Sequence, residues 1–296
     1  MGIFGRYRSW IALIVLGMFW GGTIPLAKIA VSSGHHPFGV IFWQFVVAII
    51  LLGALALTLR LKFLISRQTL IFYTIVSLIG TLVPNGFSYL AAPHLPAGIL
   101  GIIIATVPMF ALIIALVFRV EKLSPVRIVG VVLGMIAVVL LVAPEASLPK
   151  PGQVVFALLA LIAPFFYGIE TNYLATQTPR NSDPIITLLM ASVIGLFISG
   201  ILVVVFDAWV DLSGPWQAPE WSLLMASILH ALTYAGYIWL VGSAGAVFAS
   251  QIAYIVTMSA VFIGVLFMGE SHASEVWIAL GIMIAGVVLV QPKTGN

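Results

Sequence analysis

The sequence has no cysteine and few charged residues. Without cysteine, the chain cannot form a disulfide framework, an iron–sulfur cluster or a thiolate zinc site. Only 7% of the 296 residues are charged and 62% are hydrophobic, whereas soluble domains are about 25% charged. So few charges cannot keep that many apolar side chains in solution. The composition therefore excludes a water-soluble enzyme, a nucleic-acid-binding protein and a disordered chain, and it indicates an integral membrane protein.

The sequence also lacks the common catalytic and nucleotide-binding motifs. It contains no Gly-x-x-x-x-Gly-Lys-Ser/Thr phosphate loop and no His-Glu-x-x-His zinc motif. The longest hydrophilic loop, about 207–220, is too short for a nucleotide-binding domain. We therefore expect no cofactor, no bound metal, no ATP hydrolysis and no enzymatic activity. Histidines near predicted span ends form no i, i+4 pair, and these are His35, His36, His94 and His272.

Long apolar runs predict an all-α integral membrane protein with ten transmembrane helices. A spanning helix needs about 20 mostly apolar residues, and ten such runs account for most of the chain. The first run exceeds the apolar region of a cleavable signal peptide, which has about 7–15 residues. It is therefore predicted to be a retained helix. The predicted spans are residues 10–30, 38–58, 70–91, 97–118, 125–143, 153–174, 185–206, 221–241, 246–267 and 275–290.

The loop charges predict the orientation of these spans. If the N-terminus is cytoplasmic, only Lys150 among the loop cations lies outside, and Lys28 lies within a span. Positive residues are concentrated in cytoplasmic loops of membrane proteins. This asymmetry predicts a multi-pass inner-membrane protein with both termini in the cytoplasm. The cations on the predicted cytoplasmic side are Arg6, Arg8, Arg60, Lys62, Arg67, Arg119, Lys122, Arg127, Arg180 and Lys293.

The two halves of the chain show weak similarity to each other. Because each half holds five predicted spans, an odd number, the second copy would enter the membrane in the opposite orientation. Inverted repeats are common in secondary transporters, where the substrate lies between the halves. We expect repeats at residues 9–143 and 152–291. A shift of 149 residues pairs Ala97 with Ala246, Val107 with Val256 and Glu121 with Glu270, and a shift of 147 sets Trp20-Gly21 over Tyr167-Gly168.

Three stretches resemble the EamA family of the drug/metabolite transporter superfamily. Residues 20–28, which read WGGTIPLAK, resemble the family's first-helix signature. Residues 97–134 resemble its fourth and fifth helices, and residues 245–290 resemble a second copy with Thr257 in place of Pro108 and Ser274 in place of Pro125. The resemblance implies two inverted five-helix repeats around a central cavity and a transport function. Within the family, the aromatic content is closest to that of an aromatic amino acid exporter.

Ionisable groups within predicted spans are candidates for function, because burying them in a membrane is costly. Lys28 and Glu170 are candidate gating or coupling residues near opposite membrane surfaces. Lys28 could instead extend its ammonium to the lipid headgroups, and for Glu170 a capped or solvated helix end is the favoured alternative. His230, Tyr234 and Tyr237 have i, i+4, i+7 spacing, which places them on one helix face.

Further polar and aromatic residues within the spans are candidates for substrate binding. Trp43 could instead belong to the aromatic belt at the membrane interface, and amides could instead join neighbouring helices. Glycines beside short connections are candidate hinges. The complete substrate-binding set is Trp20, Trp43, Gln44, Asn85, Tyr89, Tyr167, His230, Tyr234, Tyr237, Gln251 and Tyr254, and the hinges are Gly98, Gly101, Gly242 and Gly245.

These features favour a secondary transporter that exports small hydrophobic or aromatic amino acids, or related metabolites, by alternating access. Aromatic side chains suit a flat apolar body, and a few amides and hydroxyls orient its polar groups. The expected partners are a small-molecule substrate and the lipid bilayer, with a homodimer as a further possibility and no nucleic acid. The alternatives are a multidrug or other metabolite exporter of the same fold, a passive channel and an intramembrane enzyme.

Overall fold

The computed structural model describes residues 3–95, 97–119, 125–142, 154–268 and 274–289. Within these ranges all regular secondary structure is helical, and no strand occurs. A π-helix, Leu78–Leu82, and a 3-10 helix, Ala92–His94, lie on either side of α4. The α-helices are α1 (Ile3–Ser32), α2 (Pro37–Thr58), α3 (Arg67–Ser77), α4 (Val83–Ala91), α5 (Ala97–Ile104), α6 (Val107–Val117), α7 (Pro125–Val142), α8 (Val154–Ala160), α9 (Ile162–Gln177), α10 (Pro184–Val205), α11 (Ala218–Ala244), α12 (Ala246–Ser250), α13 (Ile252–Met268) and α14 (Ser274–Leu289).

Seven helical segments are long and apolar enough to cross a membrane, judged by length and composition. Two shorter apolar helical segments, Val107–Val117 and Pro125–Ala137, add to them. The protein is therefore an all-helical membrane protein, and the count of ten spans stays a prediction. The seven segments are Tyr7–Ser32, Pro37–Thr58, Arg67–His94, Val155–Gln177, Pro184–Val205, Ala218–Ala244 and Ala246–Ile263.

Polar residues cap the N-termini of α2 and α10. The side chain of His36 accepts a hydrogen bond from the backbone N–H of Phe38 at the start of α2. Asp183 accepts one from Ile185 at the start of α10, at 2.8 Å. In both helices proline follows the cap, where its missing N–H costs no helical hydrogen bond. The helices therefore begin one residue earlier than predicted.

Several predicted spans are interrupted, and proline explains the interruption in two of them. A proline ring clashes with the backbone carbonyl four residues before it. Pro108 lies four residues after Ile104, where α5 ends, and Pro164 lies four residues after Ala160, where α8 ends. The chain resumes a helix after Thr106 and after Leu161. Predicted spans 97–118 and 153–174 are thus each built from two helices.

The helices pack mainly across the two halves of the chain. Helix α1 packs against α11 and α13, while α9 packs against α6 and α4. Helix α2 packs against α10, and α7 packs against α14. Each of these pairs joins one helix from the first half to one from the second. The core of the protein therefore lies between the halves, and neither half is a separate globular unit.

Two glycines allow close approaches between these helices. A Cβ atom at Gly21 would lie 2.6 Å from Cβ of Ser259, and one at Gly168 would lie 2.7 Å from Cβ of Phe110. Real Cβ atoms essentially never approach that closely. Gly21 and Gly168 pair under the shift of 147 residues, and Phe110 and Ser259 pair under the shift of 149. A glycine of the first half thus contacts α13 of the second half, and the paired glycine of the second half contacts α6 of the first.

Candidate functional site

A cavity of about 100 Å³ lies between the halves. One water molecule needs roughly 10–15 Å³ on this measure, so the space accommodates a polar headgroup or several waters in this conformation. Apolar residues of α5, α6 and α13 form much of its wall, including Leu100, Val107 and Val256. The predicted site residues that line it are Trp20, Lys28, Asn85, Tyr89, Tyr167, Glu170, His230 and Tyr237.

An aromatic cluster forms one side of the cavity, around the indole of Trp20 on α1. The ring centroid of Trp20 lies 5.8 Å from that of His230, 5.9 Å from Tyr234 and 5.4 Å from Tyr237. These separations fall within the 4.5–7 Å range typical of favourable aromatic pairs. The three α11 residues face α1 together, as their i, i+4, i+7 spacing predicts. Tyr234 lies behind the wall and does not line the cavity.

The carboxyl group of Glu170 lies in the cavity wall, and the residue is only 2% exposed. It accepts a hydrogen bond from the hydroxyl of Tyr234 on α11. The favoured expectation of a capped or solvated helix end was wrong, because Glu170 lies inside α9, against which α4, α6 and α11 pack. Among the described residues, Glu170 forms no ion pair. The cavity therefore holds a carboxyl group that is buried and held by a hydroxyl.

The π-helix Leu78–Leu82 makes room for this carboxyl group, and no sequence motif predicted it directly. A Cβ atom at Gly80 would lie 2.7 Å from Cδ of Glu170 and would also clash with the Tyr234 hydroxyl. π-Helical turns occur frequently at functional sites. Pro84 follows Gly80 by four residues, so its ring would crowd the Gly80 carbonyl in a regular helix. A glycine four residues before a proline within a span was the available signal.

A chain of hydrogen bonds joins three helices behind the cavity. The hydroxyl of Tyr167 on α9 donates to Oδ1 of Asn85 on α4, at 2.8 Å. Nδ2 of Asn85 donates to Oε1 of Gln44 on α2 at 3.3 Å, and Nε2 of Gln44 donates to the hydroxyl of Tyr89 at 2.6 Å. Gln44 is 3% exposed and does not line the cavity. It therefore orients Asn85 and Tyr89, which do.

His230 has an unused hydrogen-bonding atom at the cavity. The residue is 9% exposed, and within the described part of the chain its Nε2 atom has no hydrogen-bond partner. A buried polar atom without a partner costs free energy comparable to a lost hydrogen bond. The position beside the cavity places this nitrogen where a bound molecule could satisfy it.

Lys28 lines the same cavity as Glu170. Its ammonium donates a hydrogen bond to the backbone carbonyl of Leu95, just after the 3-10 helix. This bond ties α1 to the connection between α4 and α5. Lys28 follows Trp20 by eight residues, which corresponds to about 12 Å along α1. Lys28 and the aromatic cluster therefore attach to α1 more than two helical turns apart.

Besides Gln44 and Tyr234, three further predicted substrate-binding residues do not line the cavity. Nε1 of Trp43 donates to the carbonyl of Val210 at 2.9 Å, which anchors the loop between α10 and α11. Nε2 of Gln251 donates to Val247 at 3.1 Å within its own helical turn. The ring of Tyr254 packs against Gly134 of α7. These residues were reasonable candidates by polarity, but their contacts serve helix and loop packing here.

The loop anchored by Trp43 carries an acidic residue outside the predicted spans. The backbone N–H of Ser213 donates to Asp211 at 2.9 Å. This bond stabilises the carboxylate and holds the pKa of Asp211 below its ordinary value. Asp211 lies outside the cavity lining and is solvated, so it contributes to loop structure.

The predicted hinges differ in their surroundings. Gly245 separates α11 from α12 with a φ of 90° and a ψ of 161°, a combination that residues with a side chain rarely adopt. The carbonyl of Gly101 in α5 accepts a hydrogen bond from Thr257 of α13 at 2.8 Å, a link between the halves. Gly242 lies in the last part of α11 with open space beside it, and Gly98 lies near the start of α5.

The histidines do not form a metal centre in the part of the chain that the structure describes. No group of three or more His, Asp or Glu side chains is placed to hold a metal there. Nε2 of His35 lies 3.0 Å from Oε1 of Glu220, and His94 stacks on Phe156. His272 lies outside the described residues, as do Glu121 and Glu270.

Apolar helices, packing between two halves and an internal aromatic cavity define a polytopic α-helical membrane protein. The family model of the EamA-like transporter family matches this chain twice, at residues 8–143 and 155–291. The chain therefore belongs to the EamA-like transporter family. These two matches together span almost all of the described helices.

Individual relatives agree with this assignment. The chain is 28% identical over 280 residues to an "Uncharacterized inner membrane transporter YedA" of Escherichia coli strain K12, covering 94% of this chain and 89% of that protein. The YedA proteins of Escherichia coli O157:H7 and O6:H1 match equally. A solved structure named only "Crystal structure of protein" matches with a TM-score of 0.72 at 15% identity, covering 96% of this chain and 98% of the other. At this identity the structural match shows the fold alone.

Proposed function

We propose that this EamA-family transporter is a secondary exporter of small hydrophobic or aromatic amino acids, or of closely related metabolites. The observation that carries the proposal is the cavity between the halves, with its Trp20 cluster and few charged groups. A flat apolar body gains most from aromatic walls, while Asn85, Tyr89 and Tyr167 supply a small number of oriented polar groups. Phosphorylated substrates would need more positive charge than Lys28 offers.

The transport cycle in this proposal is alternating access between two inverted repeats of five helices each, at residues 9–143 and 152–291. Two family matches in one chain support the repeat. The equivalent contacts of Gly21 and Gly168 support a pseudo-two-fold relation between the halves. In such folds the halves rock about a central site. The glycines at 98, 101, 242 and 245 are the positions proposed to bend.

The protein is proposed to lie in the inner membrane with both termini in the cytoplasm. The distribution of Lys and Arg between loops supports it, and the name of the YedA relatives supports the location. A homodimer stays a prediction. The glycines at 17 and 21, which could have served a dimer interface, contact α13 of the same chain instead.

The test is transport into proteoliposomes with a panel of amino acids, organic cations and sugars, with and without a pH gradient. Saturable uptake of aromatic amino acids, with counterflow of labelled against unlabelled substrate, supports the proposal. Uptake of organic cations alone indicates a multidrug exporter of the same fold. Non-saturating flux indicates a channel, and chemical conversion without net flux indicates an enzyme. Failure of every amino acid contradicts the proposed substrate.

A further inference from the structure

We propose that the end of the cavity formed by Glu170, Trp20 and His230 is an ammonium-binding site, and that its substrates carry a protonated amine on an apolar body. The inference rests on the proposed function and names the group that is recognised. Three independent features of the structure carry it: a buried carboxyl group, aromatic faces around it and an unsatisfied imidazole nitrogen.

The carboxyl group supplies the acceptor, and it becomes the anion when a cation binds beside it. Glu170 lines the cavity, is 2% exposed and has one described hydrogen-bond partner, the hydroxyl of Tyr234. A carboxylate can accept about four hydrogen bonds, so it retains capacity toward the cavity. An ammonium donates up to three. A buried carboxylate is best compensated by a cation that also donates hydrogen bonds.

The aromatic side chains beside Glu170 also favour a bound cation. Trp20 and Tyr237 both line the cavity, with ring centroids 5.4 Å apart. A cation within about 6 Å of a tryptophan centroid is attracted by the electron density of the ring face. Tyr234 contacts Trp20 and also bonds to Glu170. The carboxyl group and the aromatic faces therefore converge on one region.

The ionisable residues on the helices around Glu170 determine where a cation can bind. Helices α5, α6, α8 and α12 and the π-helix contact α9 and carry no ionisable residue. Helix α4 contributes Tyr89, and α11 contributes His230, Tyr234 and Tyr237, while Tyr73 of α3 donates to Leu64 instead. Lys28 lies about 12 Å along α1 from Trp20. A bound ammonium is repelled by Lys28 and attracted by Glu170, so the Glu170 side of the cavity is its favoured position.

The imidazole of His230 supplies a second contact. Its Nε2 atom is buried, and the described residues offer it no partner. The His230 ring lies 5.4 Å from the Tyr234 ring, whose hydroxyl bonds to Glu170. A small headgroup held by Glu170 could thus present its carboxylate to Nε2–H of His230. An α-amino acid carries an ammonium and a carboxylate on one carbon, so the proposal assigns one group to each contact.

The π-helix is the local structure that permits this site. Gly80 lies against the Glu170–Tyr234 pair, and any side chain there would displace it. We therefore assign Gly80 a positioning role. Gly80→Ala is expected to weaken ammonium binding while leaving binding of an uncharged aromatic compound unchanged, which a general folding defect would not do.

Equilibrium binding of three labelled compounds to the detergent-purified full-length protein tests the proposal. Phenylalanine carries both groups, phenethylamine carries the ammonium alone, and phenylpropionate carries the carboxylate alone. The wild-type protein is expected to bind the two amines at least about tenfold more tightly than phenylpropionate, since a charge-assisted hydrogen bond is lost with the amine. Equal affinity for all three compounds overturns the proposal, and it does so without any variant.

Substitutions then locate the contacts. Glu170→Gln is expected to weaken both amines about ten- to hundredfold and to leave phenylpropionate unchanged. His230→Phe is expected to weaken phenylalanine about two- to tenfold and to spare phenethylamine. Glu220→Gln is the matched control, because Glu220 caps α11 away from the cavity and bonds to Gln217 and His35. Unchanged amine affinity in Glu170→Gln overturns the proposal.

Binding and flux separate this inference from the proposed function. If amines bind through Glu170 but are not moved across proteoliposomes, the ammonium site stands and the transport proposal fails. If aromatic amino acids are transported by wild type and Glu170→Gln with the same KM, transport stands and the ammonium site fails. Should Glu170→Gln not elute as a folded monodisperse species, the three-compound comparison on the wild-type protein decides.

Discussion

Replacing Gly21 or Gly168 by alanine tests whether the two halves make equivalent contacts. The added Cβ at residue 21 would lie 2.6 Å from Cβ of Ser259 and 2.8 Å from the carbonyl oxygen of Val256. At residue 168 it would lie 2.7 Å from Cβ of Phe110. Backbone and Cβ atoms cannot move aside without separating the helices. Overpacking of this kind costs about 1–3 kcal/mol, and we expect similar losses in both variants.

Gly22→Ala is the matched control for this prediction, since it lies next to Gly21 in α1. Its added Cβ would meet its nearest neighbours at 3.9 Å, an ordinary contact. Alanine stabilises a helix by about 0.5–1 kcal/mol over glycine, so this variant should be as stable as wild type or more so. Equilibrium unfolding by SDS in mixed micelles measures all three. If Gly21→Ala and Gly168→Ala were as stable as Gly22→Ala, the close packing described here would be refuted.

Three further perturbations test other parts of the site. Trp20→Ala removes the ring that contacts the α11 aromatics, and substrate affinity should fall about tenfold or more in binding assays; unchanged affinity would contradict the proposed wall. Lys28→Met removes the bond to the carbonyl of Leu95, which ties α1 to the connection after α4, so access to the cavity should increase. A cysteine introduced at Ser88, which lines the cavity, should then react faster with an external maleimide than the same cysteine in the presence of Lys28. Gly245→Ala forces a side chain into a conformation that costs about 1–3 kcal/mol, so its unfolding midpoint should fall below that of Gly242→Ala, which has open space beside it. Equal midpoints would show that the backbone at residue 245 relaxes freely.

The sequence predicted the starts of α2 and α10 to within one residue, because apolar runs and proline-marked caps are local signals. Asp183-Pro184 shows this, since the cap and the first helical residue adjoin in the chain. Sequence spacing also placed His230, Tyr234 and Tyr237 on one face. Such inferences need only the 3.6-residue period of a helix, which does not depend on what the helix packs against.

The site itself was predicted less completely, because it depends on how helices cross. Counting 1.5 Å per residue placed Glu170 near a membrane surface, but other helices cover that part of α9. Gly80 was missed because its role comes from a side chain 90 residues away in the chain. Tyr254 and Gln251 have the right polarity, yet rotation of α12 and α13 directs them to packing contacts. Rotation and tilt are set by long-range packing, which a single sequence does not display.

The proposed alternating-access mechanism depends most directly on an opposite orientation of the two halves. Because the chain contains no cysteine, single cysteines can be introduced without removing others. Glu121→Cys and Glu270→Cys, at the paired positions of the two repeats, should be labelled separately with a membrane-impermeant maleimide in intact cells. We predict that Glu270→Cys is labelled at once and Glu121→Cys only after permeabilisation. Labelling of both from the same side would contradict the inverted repeat and the alternating-access mechanism built on it.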